Sequence, residues 1–375
     1  MEIVAAVGRA LSISFAMTWE ILWALILGFT LSAIVEAVVS KERISRLLPD
    51  DSARTLAVAS LLGAASSSCS YAAVALARSL VQKGANFTAA MAFEIASTNL
   101  VIELGIILVI LMGWQFTAAE FVGGPIMIVT LALVLRRVAS PRLVAEARSQ
   151  AERGLRGYME GHAAMDMSVS GGTLVERIVS PRGFTAISHL FVMEWAAVLR
   201  DVVGGLLIAG ALAAWVPESF WRGFFITDQP QLAALWGPLI GPLISVISFV
   251  CSIGNVPLAA VLWNGGISFG GVVSFIFADL IILPILSIKR RYYGTRMTVV
   301  LFVSFYAAMA FAGFIVELLF GALGLVPTER RALVSEATIA LNYTSVLNVA
   351  FIALAAVLLA RAYKTGVGEM VAMMA

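Results

Sequence analysis

Apolar runs of roughly 20 residues recur along most of this chain, and a run of that length crosses a bilayer core once as a helix. The clearest cover residues 17–39, 86–113, 118–136, 191–215, 267–288, 297–321 and 344–361. With 61% hydrophobic residues, 13% charged residues and a mean hydropathy of +0.96, this is the composition of a polytopic, all-α membrane protein whose immediate partner is the lipid bilayer. The formal net charge of +2 carries no nucleic-acid signal, because the charges sit in the gaps between apolar runs. The first run is too long for the core of a signal peptide, so a retained first span is expected.

Two further segments, 55–83 and 237–263, are long enough to cross but are broken by small and polar residues. Ser66, Ser67, Ser68 and Ser70 interrupt the first; Ser248, Ser252, Gly254, Asn255 and Pro257 interrupt the second. These breaks hold the only two cysteines, Cys69 and Cys251, each followed by serine. Setting Cys69 on Cys251 and reading forward to Leu100 and Ile282 gives ten identities in thirty-two positions, among them Leu76/Leu258, Gly84/Gly266, Phe87/Phe269 and Phe93/Phe275. With a small gap the match runs backwards through Phe15/Phe191, Met17/Met193, Trp19/Trp195 and Gly28/Gly204. The chain is an internal duplication, read as a first transmembrane repeat (1–136), a cytoplasmic polar linker (137–188), a second repeat (189–321) and an additional C-terminal span and tail (322–375).

Lys and Arg collect on the cytoplasmic side of short loops. If both cysteine segments crossed fully, the cluster from Arg136 to Arg182 would face away from those at 41–54 and 289–296. If each enters, turns at its polar break and leaves on the side it came from, eighteen Lys and Arg fall inside and only Arg9, Arg222, Arg330 and Arg331 outside. The expected fold is therefore two inverted repeats with about seven full spans and two re-entrant or broken helical hairpins, N-terminus outside and C-terminus cytoplasmic, in a bacterial inner membrane. Inverted repeats with interrupted helices are the architecture of secondary transporters, whose sites lie near the midplane. The rival is that both segments are kinked full spans.

Chemistry in such a fold resides in polar groups at membrane depth. Cys69, Ser70, Cys251, Ser252 and Asn255 lie at the breaks and are the candidate substrate-binding residues; thiolates favour soft ligands. Against that, cysteine is often a small buried hydrophobe, and the serines can simply satisfy freed backbone groups. Ionisable residues inside spans default to functional candidates. Glu94, Glu103 and Asp279, with Asn99 four residues before Glu103, are the candidates for proton or ion coupling. Glu317 lies in the next span, whereas Glu20, Glu36, Arg200 and Asp201 are expected to snorkel from span ends. The stretch LVAEARSQAERGLRGYMEG in the linker reads as a charged amphipathic helix.

No GxxxxGK[ST], HExxH or GxSxG occurs, and neither His162 nor His189 has zinc-ligand spacing, so neither an enzyme nor a cofactor or metal site is expected.

The doubled Cys-Ser segments, followed by GANFTAAMAFEIASTNLVIELGIIL and FGGVVSFIFADLIILPIL, resemble the bacterial predicted-permease family that includes the organoarsenical efflux permeases. The resemblance covers roughly residues 17–320. It implies a multi-span permease for a small-molecule substrate, an exporter of a thiophile such as a trivalent organoarsenical, with Cys69 and Cys251 as ligands. There are departures: Ala75 stands where the second repeat has Pro257, and no third cysteine completes a three-thiol arsenic site. A passive pore built on the same hairpins, or a membrane partner subunit with a redox-active cysteine pair, are the alternative readings; a homo-oligomer is compatible with each.

Overall fold

The computed structural model describes residues 2–38, 45–152, 169, 173–248, 252–333 and 343–368 of the 375. Cys251, Lys41, Arg43, Arg153, Arg156 and His162 lie outside the described residues. All regular elements among those described are helical. The segment read as the first repeat carries α1 (Glu2–Val38), α2 (Ala53–Ser66), α3 (Ser70–Gln82), α4 (Phe87–Asn99), α5 (Ile102–Met112) and α6 (Trp114–Val138). The linker supplies α7 (Pro141–Glu152) and α8 (Leu174–Val179). Then come α9 (Pro181–Trp215), α10 (Glu218–Phe224), α11 (Pro230–Ser248), α12 (Ser252–Gly265), α13 (Phe269–Phe277), a 3₁₀ turn (Ala278–Ile281), α14 (Leu283–Ala322) and α15 (Tyr343–Lys364).

Helices α1, α6, α11, α14 and α15 are each long and apolar enough to cross a membrane, and α4 with α5, bent by 41° at their junction, make a sixth candidate. The protein is a multi-pass membrane protein. Of the remaining expected spans, 191–215 lies within the 35-residue α9, and 267–288 is divided among α13, the 3₁₀ turn and the start of α14.

Each cysteine segment folds back on itself. Leu48 O accepts from Asn86 N at 2.8 Å, so the approach to α2 and the exit from α3 lie at one level. Ser68 N donates to Ser97 O at 2.9 Å, and a Cβ on Gly63 would lie 2.4 Å from Phe93 O. Helix α2 therefore rises alongside α4, in the same direction, and α3 returns. The fourteen residues of α2 climb about 21 Å. The second segment repeats this: positions of contact with α13 advance from Gly237 at Ser268 to Gly241 at Gly271 and Ser274. Glycine at the crossing lets two backbones approach closely, as small residues do between membrane helices.

The duplication is visible residue by residue. Helix α3 begins at the serine after Cys69, and the serine after Cys251 is likewise helical, within α12. Ala85 N bonds Leu80 O at 3.0 Å, and Ile267 N bonds Leu262 O at 3.2 Å. Gly84 and Gly266 take φ of +97° and +111°. Asn86 and Ser268 then cap α4 and α13 with their side chains. The helix breaks again at Leu100–Val101 and at Ile282. Further on, Gly113 (φ 102°, ψ 162°) and Gly294 (φ 83°, ψ 160°) share one backbone conformation before α6 and the long part of α14. The repeat-related α1 and α9 pack antiparallel: Trp215 Nε1 donates to Ala6 O, Ser14 Oγ to Leu206 O, and Phe29 meets Trp195 edge to face.

The turn glycines give a direct test. Nothing lies within 4 Å of a Cβ added to Gly84, so Gly84→Ala isolates the cost of positive φ, about 1–2 kcal/mol. At Gly266 the added Cβ would also meet Thr227 Cγ2 at 2.6 Å, so Gly266→Ala is expected to lower the thermal midpoint further than Gly84→Ala. Equal midpoints for the two variants would contradict this geometry.

The basic clusters gather at one end of the helices. Arg136 pairs with Asp51 at 2.6 Å, Arg148 donates to Ala85 O, and Gln150 donates to Arg290 O and Arg291 O. Arg177 donates to Val38 O, and Arg361 to Thr185. Asp50 at this surface accepts from Ser52 N and the Thr55 hydroxyl, bonds that hold its carboxyl down at about 2. At the other end Arg330 donates to Trp263 O and Ile267 O. Linker helix α7 docks under the first hairpin, where the carbonyl of Ala151 accepts from Arg78 and Gln82.

Three expectations need correcting. Glu20 does not snorkel: it is buried and accepts from Thr344 on α15 at 3.1 Å. Glu36 is half-buried against the protein interior, whereas Arg200 is exposed and the Asp201 side chain is outside the description. Lys289, read as part of a loop cluster, lies buried inside α14.

Candidate functional site

The first hairpin breaks because Ser67 adopts a left-handed conformation (φ 43°, ψ 62°) that ends α2, after which Cys69 is extended and caps α3. A non-glycine residue there costs about 1–2 kcal/mol, and strain of this kind collects at functional sites. The serines have specific tasks at the break. The Ser67 hydroxyl donates to Glu103, Ser66 and Ser68 bond each other at 3.0 Å, and Cys69 Sγ accepts from Ala72 N at 3.4 Å. The cysteine sulfur thus sits at the N-terminus of a 13-residue helix, where the backbone presents donors rather than acceptors.

From this tip Ser70 reaches across to the second repeat. Its Oγ donates to Asp279 Oδ2 at 2.6 Å, and Asn99 Nδ2 approaches Asp279 Oδ1 at 3.4 Å. Asp279 lies in the 3₁₀ turn and Asn99 at the end of α4, at the two repeat-related breaks, where helix termini leave backbone groups without intrahelical partners. Beside them lies Glu120 on α6, fully buried, with neither carboxyl oxygen hydrogen-bonded, and close enough to act electrostatically on Asp279. Cys69, Ser70, Asn99, Asp279 and Glu120 are each under a tenth exposed, so this polar centre is occluded.

The other candidates flank that centre. Glu94 pairs with Lys289 at 2.8 Å, both without solvent exposure, and the ammonium lies 4.0 Å from the Phe305 ring centroid. Glu103 lies on the far side of the tip, over Gly28, where any Cβ would fall 2.5 Å from its own. On the second hairpin Ser252 is buried and Asn255 donates to Ser245 at 3.2 Å, tying the hairpin's two legs together. Ser70, Asn99 and Asp279 therefore converge, whereas Glu94, Glu103 and Asn255 occupy separate positions around them. A groove of about 620 Å³ between α2 and α6 is lined by Leu56, Leu61, Phe121 and Ile128 and lies apart from these polar groups. Among the described residues no three metal-ligating side chains converge.

Sequence reasoning passed over Glu120, Glu194 and Lys289. Glu120 and Glu194 are carboxyls inside apolar spans, so the rule that selected Glu94 also selects them. Lys289 opens a Lys-Arg-Arg run, and nothing local separates it from its exposed neighbours.

A family model described as predicted permease (ArsP_1) matches residues 6–318, a range that contains both hairpins, both repeat-related breaks and the occluded centre. The chain belongs to this predicted-permease family. It is also 64% identical over 338 residues to the "Putative permease Rv2963" of Mycobacterium tuberculosis (strain ATCC 25618 / H37Rv), an alignment covering 90% of this chain and 83% of that one. No solved structure matches it. The protein is thus a membrane permease, a transporter in class.

Proposed function

We propose that this permease is a secondary exporter that moves a small thiophilic solute, such as a trivalent organoarsenical, across the bacterial inner membrane. The observation that carries the reading is the meeting of Ser70, next to Cys69 at the first hairpin tip, with Asp279 at the break of the second repeat. Two repeats, 1–136 and 189–321, joined by the linker 137–188 and followed by 322–375, would be inverted about the membrane plane, as the antiparallel packing of α1 on α9 supports. Alternating access would then rock one repeat against the other around the tips. The gathering of basic residues at one end supports assigning that end to the cytoplasm.

In this reading Cys69 and Cys251 bind the soft centre, with Ser70, Ser252 and Asn255 contributing hydroxyl and amide groups. Glu94, Asn99, Glu103 and Asp279 couple transport to a proton or ion gradient. Asp279 is suited to the task because Ser70, at the substrate tip, is its hydrogen-bond partner. A change in its protonation is felt at once by the hairpin that holds the thiol.

Everted vesicles supplied with a panel of trivalent organoarsenicals test this. Wild-type vesicles are expected to accumulate at least one of them, and Cys69→Ser, Cys251→Ser vesicles with equal protein abundance to fall to the level of vesicles lacking the permease. Uptake unchanged in the double variant would remove the thiol-ligand assignment, and no uptake of any member would send the substrate search to another chemical class.

A further inference from the structure

We infer that Glu103, Glu194 and Glu36 form a proton relay connecting the first hairpin tip to the basic face of the protein. Gly28, Ser32 and Glu36 follow one another at i, i+4 and i+8 on α1, so they make a single stripe about 12 Å long. Each contacts or faces a group of the relay. Glu103 packs over Gly28, because a Cβ there would lie 2.5 Å from its Cβ, and it accepts from Ser67 at the tip. Ser32 donates to Ser66 O at 3.0 Å. Glu36 lies next to Ala37, whose carbonyl accepts from Val169 of the linker at 2.8 Å where α1 emerges at the basic face.

Glu194 on α9 fills the interval. It is 1% exposed, it precedes Trp195, whose ring meets Phe29 of α1 edge to face, Ser32 of the stripe is its hydroxyl neighbour, and among the described residues Glu36 and Glu103 are the charged groups that act on it. The elements packed on α9 also carry Glu20 on α1, Glu176 and Arg177 on α8, and Arg361 and Lys364 on α15. None of these exerts a comparable effect on Glu194. A carboxyl at this depth, acted on by two other carboxyls and, among the described residues, by no cation, is costly as a fixed anion. A carboxyl that accepts a proton from one neighbouring carboxyl and yields it to another has a reason to be there. Protons are the only species transferred, so each step breaks one O–H bond and forms another.

The inference deepens the carrier reading above by naming the coupling ion and its route, but its test uses no transported substrate. Infrared difference spectra of the purified full-length protein in lipid discs, acid minus alkaline, are expected to contain a protonated-carboxyl band that Glu194→Gln removes. Glu36→Gln is expected to keep that band and move its pH midpoint, since neighbouring carboxyls titrate as a coupled set. Transfer to D2O should shift the band, because a relay exchanges with bulk water. If Glu194→Gln does not fold, Glu194→Asp, which keeps the carboxyl, should displace the band instead of deleting it. A wild-type spectrum in Glu194→Gln, a midpoint indifferent to Glu36, or a band that does not respond to D2O would each overturn the relay. If the relay stands while organoarsenical uptake fails, only the substrate assignment falls.

Discussion

Lys289→Met is expected to destabilise the protein by about 3–5 kcal/mol, and adding Glu94→Gln to it is expected to restore most of the loss. The pair is fully buried, with Nζ and Oε1 2.8 Å apart, in a region where neither charge can recover its hydration. Removing the lysine alone leaves a carboxylate stranded among Phe305, Tyr293 and the α4 backbone. Removing both charges replaces an ion pair with groups of similar volume, and such replacements are often neutral or stabilising. The comparison is a double-mutant cycle on thermal unfolding in detergent, with abundance in the membrane as a second readout. A Lys289→Met midpoint equal to wild type would show that the pair does not form. Because Lys289 stands on α14 and Glu94 on α4, the pair joins the two repeats, so its strength also resists their relative movement.

The duplication and the breaks in the two cysteine segments were legible because each depends on local signals. Gly84 and Gly266 announce turns that need positive φ, Asn86 and Ser268 are ordinary cap residues, and the serines and glycines at the breaks interrupt otherwise apolar runs. The break at Leu100–Val101 carries no such signal, since both residues are apolar and neither is glycine or proline. It arises from packing: Leu100 occupies the space a Cβ on Gly124 would need, with Leu100 Cδ2 2.4 Å from that point. In the second repeat the same break is marked by Pro284.

Partners far away in sequence explain most of what local reading missed at the site. Glu20 finds Thr344 324 positions later, and Asp279 finds Ser70 209 positions earlier. The spacing that selects a carboxyl as intramembrane says nothing about which groups meet it. Glu94, Glu103 and Asp279 looked equivalent as a class, yet one meets a lysine, one a strained serine, and one a serine and an asparagine together.

That last difference makes Asp279→Asn the sharpest functional test. Asparagine keeps the shape of the side chain and an oxygen that can still accept from Ser70, so the tip of the first hairpin keeps its tether while the carboxyl loses its charge and its exchangeable proton. If Asp279 is only a hydrogen-bond acceptor, transport should survive the change. If its protonation is coupled to the substrate tip, vesicle uptake of the best organoarsenical on the panel is expected to fall about 100-fold at unchanged abundance, the scale of a coupling of about 3 kcal/mol. Ser70→Ala separates the two contributions, since it removes the tether, worth about 1 kcal/mol, and leaves the carboxyl able to titrate. Uptake that tolerates Asp279→Asn but not Ser70→Ala would make Asp279 an anchor for the hairpin and shift the coupling role to the carboxyls around it. The reverse pattern would make the hydroxyl a reporter, through which the hairpin senses a charge held by the opposite repeat.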